Sequence, residues 1–442
     1  MPAPSDISRR SFMMNTAALS AAVVVTPELL ARTARAGASD PIKVGLVGCG
    51  GRGTGAAVQA LRADPSTVLW AMGDAFEDRI QPSLNNIKGA MSSLDEEQGT
   101  DTWAKKIKLA ERRFHGFDAC RRVIDSGVDV VLLCTPPNFR PAHLAACIDA
   151  GKHVFCEKPC AVDAAGVRSV LESAAKAKAA SLSLMSGFCW RHQFQVNQAF
   201  GKVLEGAIGD VNYIQTTYNT TGWVPAKARQ EDWSDAEFML RNWQYFHPLS
   251  GDHIVEQSVH AIDWIAWAMG DQPPVRCYAV GGRQVRADKP ETGNVYDHFS
   301  VTYEYPNGVR ATNMCRHWPN SASDNTAFVQ GTIGHLNMQP WTGNHVITGK
   351  TPWRGDATGN DMYQREHDVL FKGIRNGSPF NDGVRMAHTT LLAIMGREAA
   401  YTGQMVTWED ALNADHDLNP EPWEFSSRTI PTVAIPGTTR FG

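Results

Sequence analysis

Three short stretches of the 442-residue chain carry side chains whose types and spacing suit chemistry. "SGDHIVEQSVHAIDW" (Ser250 to Trp264) holds His253, Glu256 and His260. On a helix turning about 100° per residue these fall within an arc of roughly 60°, so one face presents two imidazoles and a carboxylate. Such a face is costly to bury unless it lines a polar site. Three readings compete: a histidine that moves a proton near neutral pH with a carboxylate to orient it, a metal site of two imidazoles and a carboxylate, or a solvated or capped helix face. The first is taken forward, with no metal expected. The second stretch, "KHVFCEKP" (Lys152 to Pro159), ends an apolar run on Glu157 and Lys158. A lysine at the carboxyl end of a parallel strand faces the crevice where open α/β sheets bind ligands, in reach of a proton-transfer role.

The third stretch is "KVGLVGCGGRG", in which Gly48, Gly50 and Gly53 match the GxGxxG spacing and Gly51 and Arg52 fill the gap. It ends an apolar strand and opens an Ala-rich helix, the context that gives the spacing meaning. The first Gly makes the tight turn, the second lets backbone approach a pyrophosphate, the third lets helix pack on strand, and the phosphate sits at the helix N-terminus. Asp74 closes the next strand about 20 residues on, where a carboxylate binds ribose hydroxyls and repels a 2′-phosphate. NAD is therefore expected. Arg79 nearby keeps NADP possible.

The elements that must position these groups read as two textures. From Ile42 to about Gly187, β-branched runs ("IKVGLVG", "TVLWAMGD", "VDVVLLCTP", "KHVFCEKP", "SLSLMSGF") alternate with helical stretches, the pattern of a doubly wound parallel sheet. Residues 91–113 are charged and poor in β-branched residues, and read as an insertion between elements. Beyond Gly187 the two-residue period of strands takes over in "DVNYIQTTYNTTGW", "PVRCYAVGGRQV" and "DHFSVTYEYPNGVRATNMCRHW". "YPNGV" marks a hairpin turn, with Asn-Gly supplying positive φ angles. The fold class predicted is α/β, with a second α+β domain built on a largely antiparallel open sheet. Its helices are expected around residues 191–206, 253–269 and 366–376. The divisions read as 1–36, 41–187, 188–425 and 426–442.

"CTPPNFRPAHLAACIDAGKHVFCEKP", with "MSGFCWRHQF" and "GAIGDV" downstream, resembles the glucose-fructose oxidoreductase / inositol dehydrogenase (Gfo/Idh/MocA) family over nearly the whole chain. The resemblance implies a Rossmann domain binding NAD(P) through the glycine turn, Asp74, Thr135, Pro136, Asn138, His143, Glu157 and Lys158. It places Lys158 beside the nicotinamide, in hydrogen-bond reach of the reacting hydroxyl, and gives His260 proton transfer with Glu256 as its acid partner. Family members usually carry Asp where this chain has Glu256. The substrate implied is a sugar, sugar derivative or polyol. Arg191, His247 and His253 are the expected substrate contacts, and Trp223, Trp243, Tyr245 and Trp318 could stack on a ring. The reaction implied is hydride transfer, with redox-cycling glycoside hydrolysis as the alternative; a non-catalytic sugar-binding protein is the third class. Homodimers or homotetramers through the open sheet are expected.

Composition bounds the setting. A formal net charge of −4, with no run of Lys or Arg, gives no footprint for nucleic acid or anionic membrane. Nine cysteines, an odd count without a CxxC pair, read as buried thiols. Residues 1–36 have the parts of an export leader: Arg9-Arg10, an apolar stretch from Ala17 to Val25 and Ala34-Arg35-Ala36. Ser-Arg-Arg-x-Phe-Met is similar to the twin-arginine signal, which implies the twin-arginine export machinery as a partner, folding before export, and a periplasmic or otherwise exported protein. No stretch reaches the ~20 apolar residues needed to span a bilayer.

Overall fold

The computed structural model describes residues 40–222, 225–286, 289–355, 359–418 and 422–440. The export leader predicted at residues 1–36, and Trp223, lie outside the described residues.

The first sheet contains β1 (Ile42–Val47), β2 (Thr67–Asp74), β3 (Arg113–His115), β4 (Val130–Leu133), β5 (His153–Cys156) and β6 (Leu184–Ser186), in the order β3-β2-β1-β4-β5-β6. Every pairing in it is parallel. Strands such as β4 are buried along their whole length, because helices cover both faces and water reaches neither. The order reverses direction between β1 and β4, and a crevice forms there beyond the strand ends. The stretch predicted as an insertion is partly helical: helix Glu77–Gln98 runs through its first eight residues, anchored by Ile87 and Met91 in the core.

The second sheet holds β7 (Val211–Thr220), β8 (Arg276–Gly282), β9 (His298–Glu304), β10 (Arg310–His317), β11 (Ala327–Gly331), β12 (Gly334–Gln339), β13 (Asn344–Gly349), β14 (Trp353–Arg354) and β15 (Val406–Thr407). Its order is β14-β13-β12-β11-β7-β10-β9-β8-β15, antiparallel except where β10 runs beside β7. β9 buries every second residue, Phe299, Val301 and Tyr303, and packs on helix Gly383–Thr402, where Tyr303 Oη donates to Leu392 O. Tyr213, Tyr278 and Val280 stand exposed on strands of the same sheet. In the β9–β10 turn only Gly308 takes a positive φ, 82°; Asn307 does not. The chain finally returns to the first sheet through helix Met362–Arg375, whose Leu370 and Phe371 join the core with Leu46 and Phe155. All nine cysteines are free thiols and eight are buried. No helix among the described residues is long and apolar enough to cross a membrane.

The predicted helix over 253–269 breaks into His253–Glu256 and Val259–Ala268. Ser258 N donates to His253 O, five residues back, at 2.9 Å, and Ala261 N then donates only three back, to Ser258 O. A π-type turn followed by a tight one rotates the faces relative to each other.

Many histidines are buried, which sets a pH dependence of stability. Burial pushes His143, His153, His192 and His345 down from 6.5 to about 4. Their protons bind more readily in the unfolded chain, so stability is lost as pH falls from about 6.5 toward 4. His253 runs the other way: burial opposes its charge, but Cys315 and Asp252 outweigh that and raise it to about 9, a contribution lost as pH rises through 9. Thermal melts across pH 4 to 9 should therefore give a maximum near neutrality; a melting temperature as high at pH 5 as at pH 7 would contradict this.

Candidate active site and cofactor cleft

A cleft of about 600 Å³ runs from the glycine turn to Glu256. Gly48 holds φ 95°, and a Cβ there would lie 2.6 Å from the Cys134 backbone. At Gly53 a Cβ would lie 1.9 Å from the Gly48 carbonyl oxygen, so helix and turn touch only because both residues lack side chains. Gly50 and Gly51 differ: a Cβ on either meets nothing within 4 Å, leaving open space at the N-terminus of the 13-residue helix Gly51–Ala63. That helix has no side-chain cap and no acid in its first turn, so its free N–H groups and dipole suit an anion. Asp74 accepts the N–H of Cys49 at 2.6 Å and of Phe76 at 2.9 Å, which fixes its carboxylate on the cleft wall; burial raises its pKa. Arg79 lines the same end. These residues fit the pyrophosphate and ribose of a dinucleotide.

Thr135, Pro136 and His143 line the wall after β4, with the His143 ring stacked on Phe139 at 5.9 Å. Asn138 is not part of the wall. Glu157 is turned to Arg52: their ion pair is 2.5 Å, and Arg52 also reaches Glu366 at 3.3 Å. Glu366, from the returning helix, is fully buried, and burial together with Glu157 pushes its pKa up. Arg52 and Glu157 thus brace the turn against the lysine motif; no sequence pattern announces Glu366, which stands more than 200 residues away.

Beside the Glu256 end of the cleft, Lys158 Nζ donates to the Glu256 backbone carbonyl at 2.5 Å and lies 3.5 Å from its carboxylate. Both side chains are 13% exposed; Glu256 lines the cleft, whereas Lys158 and His260 are not part of its wall. His260 packs between Phe188, edge-on at 6.1 Å, and Tyr218, stacked at 6.4 Å. Burial, and then the neighbouring Lys158, hold its pKa well below 6.5, so its ring is neutral at pH 7. Two buried polar atoms here, Glu256 Oε2 and His260 Nδ1, have no protein partner among the described residues. The expected Glu256–His260 pair is corrected: Glu256 faces Lys158, because the break at Gln257–Ser258 separates the two helices.

The other predicted contacts lie elsewhere. Arg191 grips Asp263 through two nitrogens, at 2.8 and 2.9 Å, and Asp271 besides, with its guanidinium 4.7 Å from the Trp267 ring centre. Two carboxylates thus hold its guanidinium. His253 is fully buried between Asp252 and Phe299, its ring 4.3 Å from His317, away from the cleft. His247 bonds Asn294 and stands edge-on to Tyr401; burial lowers its pKa to about 3, and it is not on the cleft wall. Tyr245 and Trp243 do line the cleft, joined by Lys227 and Arg241, which no motif marks. No cluster of His, Cys, Asp or Glu among the described residues is arranged to hold a metal ion.

Residues 42–184 match the oxidoreductase family with NAD-binding Rossmann fold, and residues 197–337 match the GFO/IDH/MocA C-terminal domain. A mouse (Mus musculus) trans-1,2-dihydrobenzene-1,2-diol dehydrogenase is 30% identical over 62% of this chain and 77% of its own length; the match to the pig (Sus scrofa) enzyme spans 54% of that protein. Myo-inositol 2-dehydrogenase of Thermotoga maritima is 24% identical over 76% of this chain and 90% of its own. The fold superposes on levoglucosan dehydrogenase, solved with NADH and levoglucosan, with a TM-score of 0.62 at 18% identity, covering 83% of this chain and 99% of that one. With its glycine turn, the acid that closes β2 and the lysine motif after β5, the chain belongs to the GFO/IDH/MocA family of NAD-dependent oxidoreductases.

Proposed function

We propose that the protein transfers hydride between tightly held NAD and a hydroxyl-bearing carbon of a sugar, sugar derivative or polyol. The observation that carries this reading is the Glu256 end of the cleft, where Lys158 reaches Glu256 and acts electrostatically on His260, and where two buried atoms, Glu256 Oε2 and His260 Nδ1, have no protein partner among the described residues. A polyhydroxylated substrate supplies the donors and acceptors that such atoms need. NAD, when bound, supplies the hydride acceptor. His260, neutral and buried, takes the hydroxyl proton at Nδ1 as the carbon loses hydride and becomes a carbonyl. Lys158 donates a hydrogen bond to the oxygen that develops charge. Glu256, through its backbone carbonyl and carboxylate, orients Lys158. The related mouse and Thermotoga proteins are named as dehydrogenases of a cyclic diol and of inositol, which supports hydroxylated rings as substrates. Glycoside hydrolysis gains no support from these relatives.

Residues 1–36 support export through the twin-arginine route, with NAD bound before the folded chain leaves the cytoplasm. Outside, no cofactor pool replenishes it, so a second substrate or redox partner must reoxidise it in place. Exposed Tyr213, Tyr278 and Val280 on the second sheet support a homo-oligomer through that face. A panel of sugars, polyols and nitrophenyl glycosides with added NAD tests the class: NADH formation with a sugar or polyol is expected. Chromophore release without net NADH would overturn the oxidoreductase reading.

A further inference from the structure

The adenosine end of the cleft is walled by three phenylalanines from three separate strand-end loops: Phe76 after β2, Phe117 after β3 and Phe139 after β4. Each is backed by an aromatic ring from the far end of the chain. Phe425 lies 5.4 Å from Phe76 and 4.7 Å from Phe117, and Trp423 stands 5.8 Å from Phe139, ring centre to ring centre. The same tail is fastened to the second domain along its length. Ala236 N donates to Ser426 O at 3.2 Å, Arg428 N to Asp235 at 3.1 Å, Asn294 to Thr432 O at 3.2 Å, Tyr296 Oη to Ala434 O at 2.9 Å, and Gly437 N to Thr402 O at 2.9 Å. One apolar cluster therefore joins Phe238, Phe246 and Leu249 of the second domain, Trp423 of the tail, and the three phenylalanines of the first. Arg241 adds a link, its guanidinium 4.2 Å from the Phe76 ring centre and 3.1 Å from Asp78.

We propose that residues 422–440 are a strap that holds the adenosine end of the cofactor cleft shut and so sets how slowly NAD leaves. The cleft cannot widen between the two domains without pulling Phe425 and Trp423 off the three rings they back, and so giving up those aromatic contacts. The inference rests on NAD as the resident cofactor. It assigns to the tail a role in retention, not in chemistry, since its rings back Phe76, Phe117 and Phe139.

The test is the NADH release rate from loaded full-length protein, followed by loss of bound-cofactor fluorescence on dilution into a scavenger. Phe425 is 45% exposed, so Phe425→Ala should fold normally, which apo melting confirms. Phe425→Ala is expected to speed release by about tenfold, and Trp423→Ala likewise, with kcat at saturating NAD unchanged. A wild type that holds NADH, with both variants releasing it no faster, overturns the strap and leaves the cofactor reading intact. A wild type that binds no NADH overturns both.

Discussion

Lys158→Ala is expected to lower kcat/KM by about a thousandfold while the protein still folds and binds NAD; loss of one donor to a developing oxyanion typically costs ~10²–10³. The Lys158 side chain packs on Glu256 through one backbone and one carboxylate contact, neither of which belongs to the fold's apolar core, so melting should move little. A second signature separates a catalytic role from a structural one. Lys158 is, after burial, the cause that holds His260 below its ordinary pKa. Without that cation His260 keeps its proton to higher pH, and a protonated ring cannot act as base. The acid limb of the residual pH–rate profile should therefore move upward. Turnover near wild type, with the profile unmoved, would mean that the reacting carbon sits elsewhere.

Gly53→Ala carries the second large effect. Its Cβ would fall 1.9 Å from the Gly48 carbonyl oxygen and 3.1 Å from the Gly48 carbonyl carbon, all backbone that cannot swing away as a side chain would. Either the turn opens or the helix Gly51–Ala63 lifts off β1. Overpacking of this kind costs about 1–3 kcal/mol or more, and the site loses its phosphate cradle besides, so both melting temperature and NAD affinity should fall, the latter by over about a hundredfold. Gly50→Ala is the contrast: φ is −74° and the space beside it is empty, so the fold should hold while NAD binding weakens because the methyl occupies the approach to the phosphates. Melting curves and NAD titrations of the pair check this. A Gly53→Ala protein that melts and binds as wild type would refute the close packing described.

What could be read in the chain and what could not divide along sequence distance. The glycine turn, Asp74 and Lys158 each follow a strand, and a strand's end in a parallel sheet is a fixed place; local pattern suffices. The histidine-rich stretch failed at one point because helical phase was extrapolated through Gln257 and Ser258, where the five-back hydrogen bond to His253 O adds a residue to the turn. His253 was thereby carried onto the wrong face. The ion pairs of Arg191 were hidden for another reason: its partners Asp263 and Asp271 stand 72 and 80 positions away, and nothing in "CWRHQF" marks them. Glu366, Arg241 and the aromatic tail are likewise brought in by tertiary packing alone.

The proposed chemistry requires that this chain carry its own NAD and exchange hydride with a hydroxylated carbon at Lys158 and His260. Protein purified without added cofactor, mixed with sugars and polyols one at a time, tests it at 340 nm. The account predicts that one of them raises a reduced-cofactor band to a plateau near one equivalent per chain, and that a carbonyl compound then abolishes it. Protein that shows no such band with any polyol, even when NAD is supplied, would contradict it.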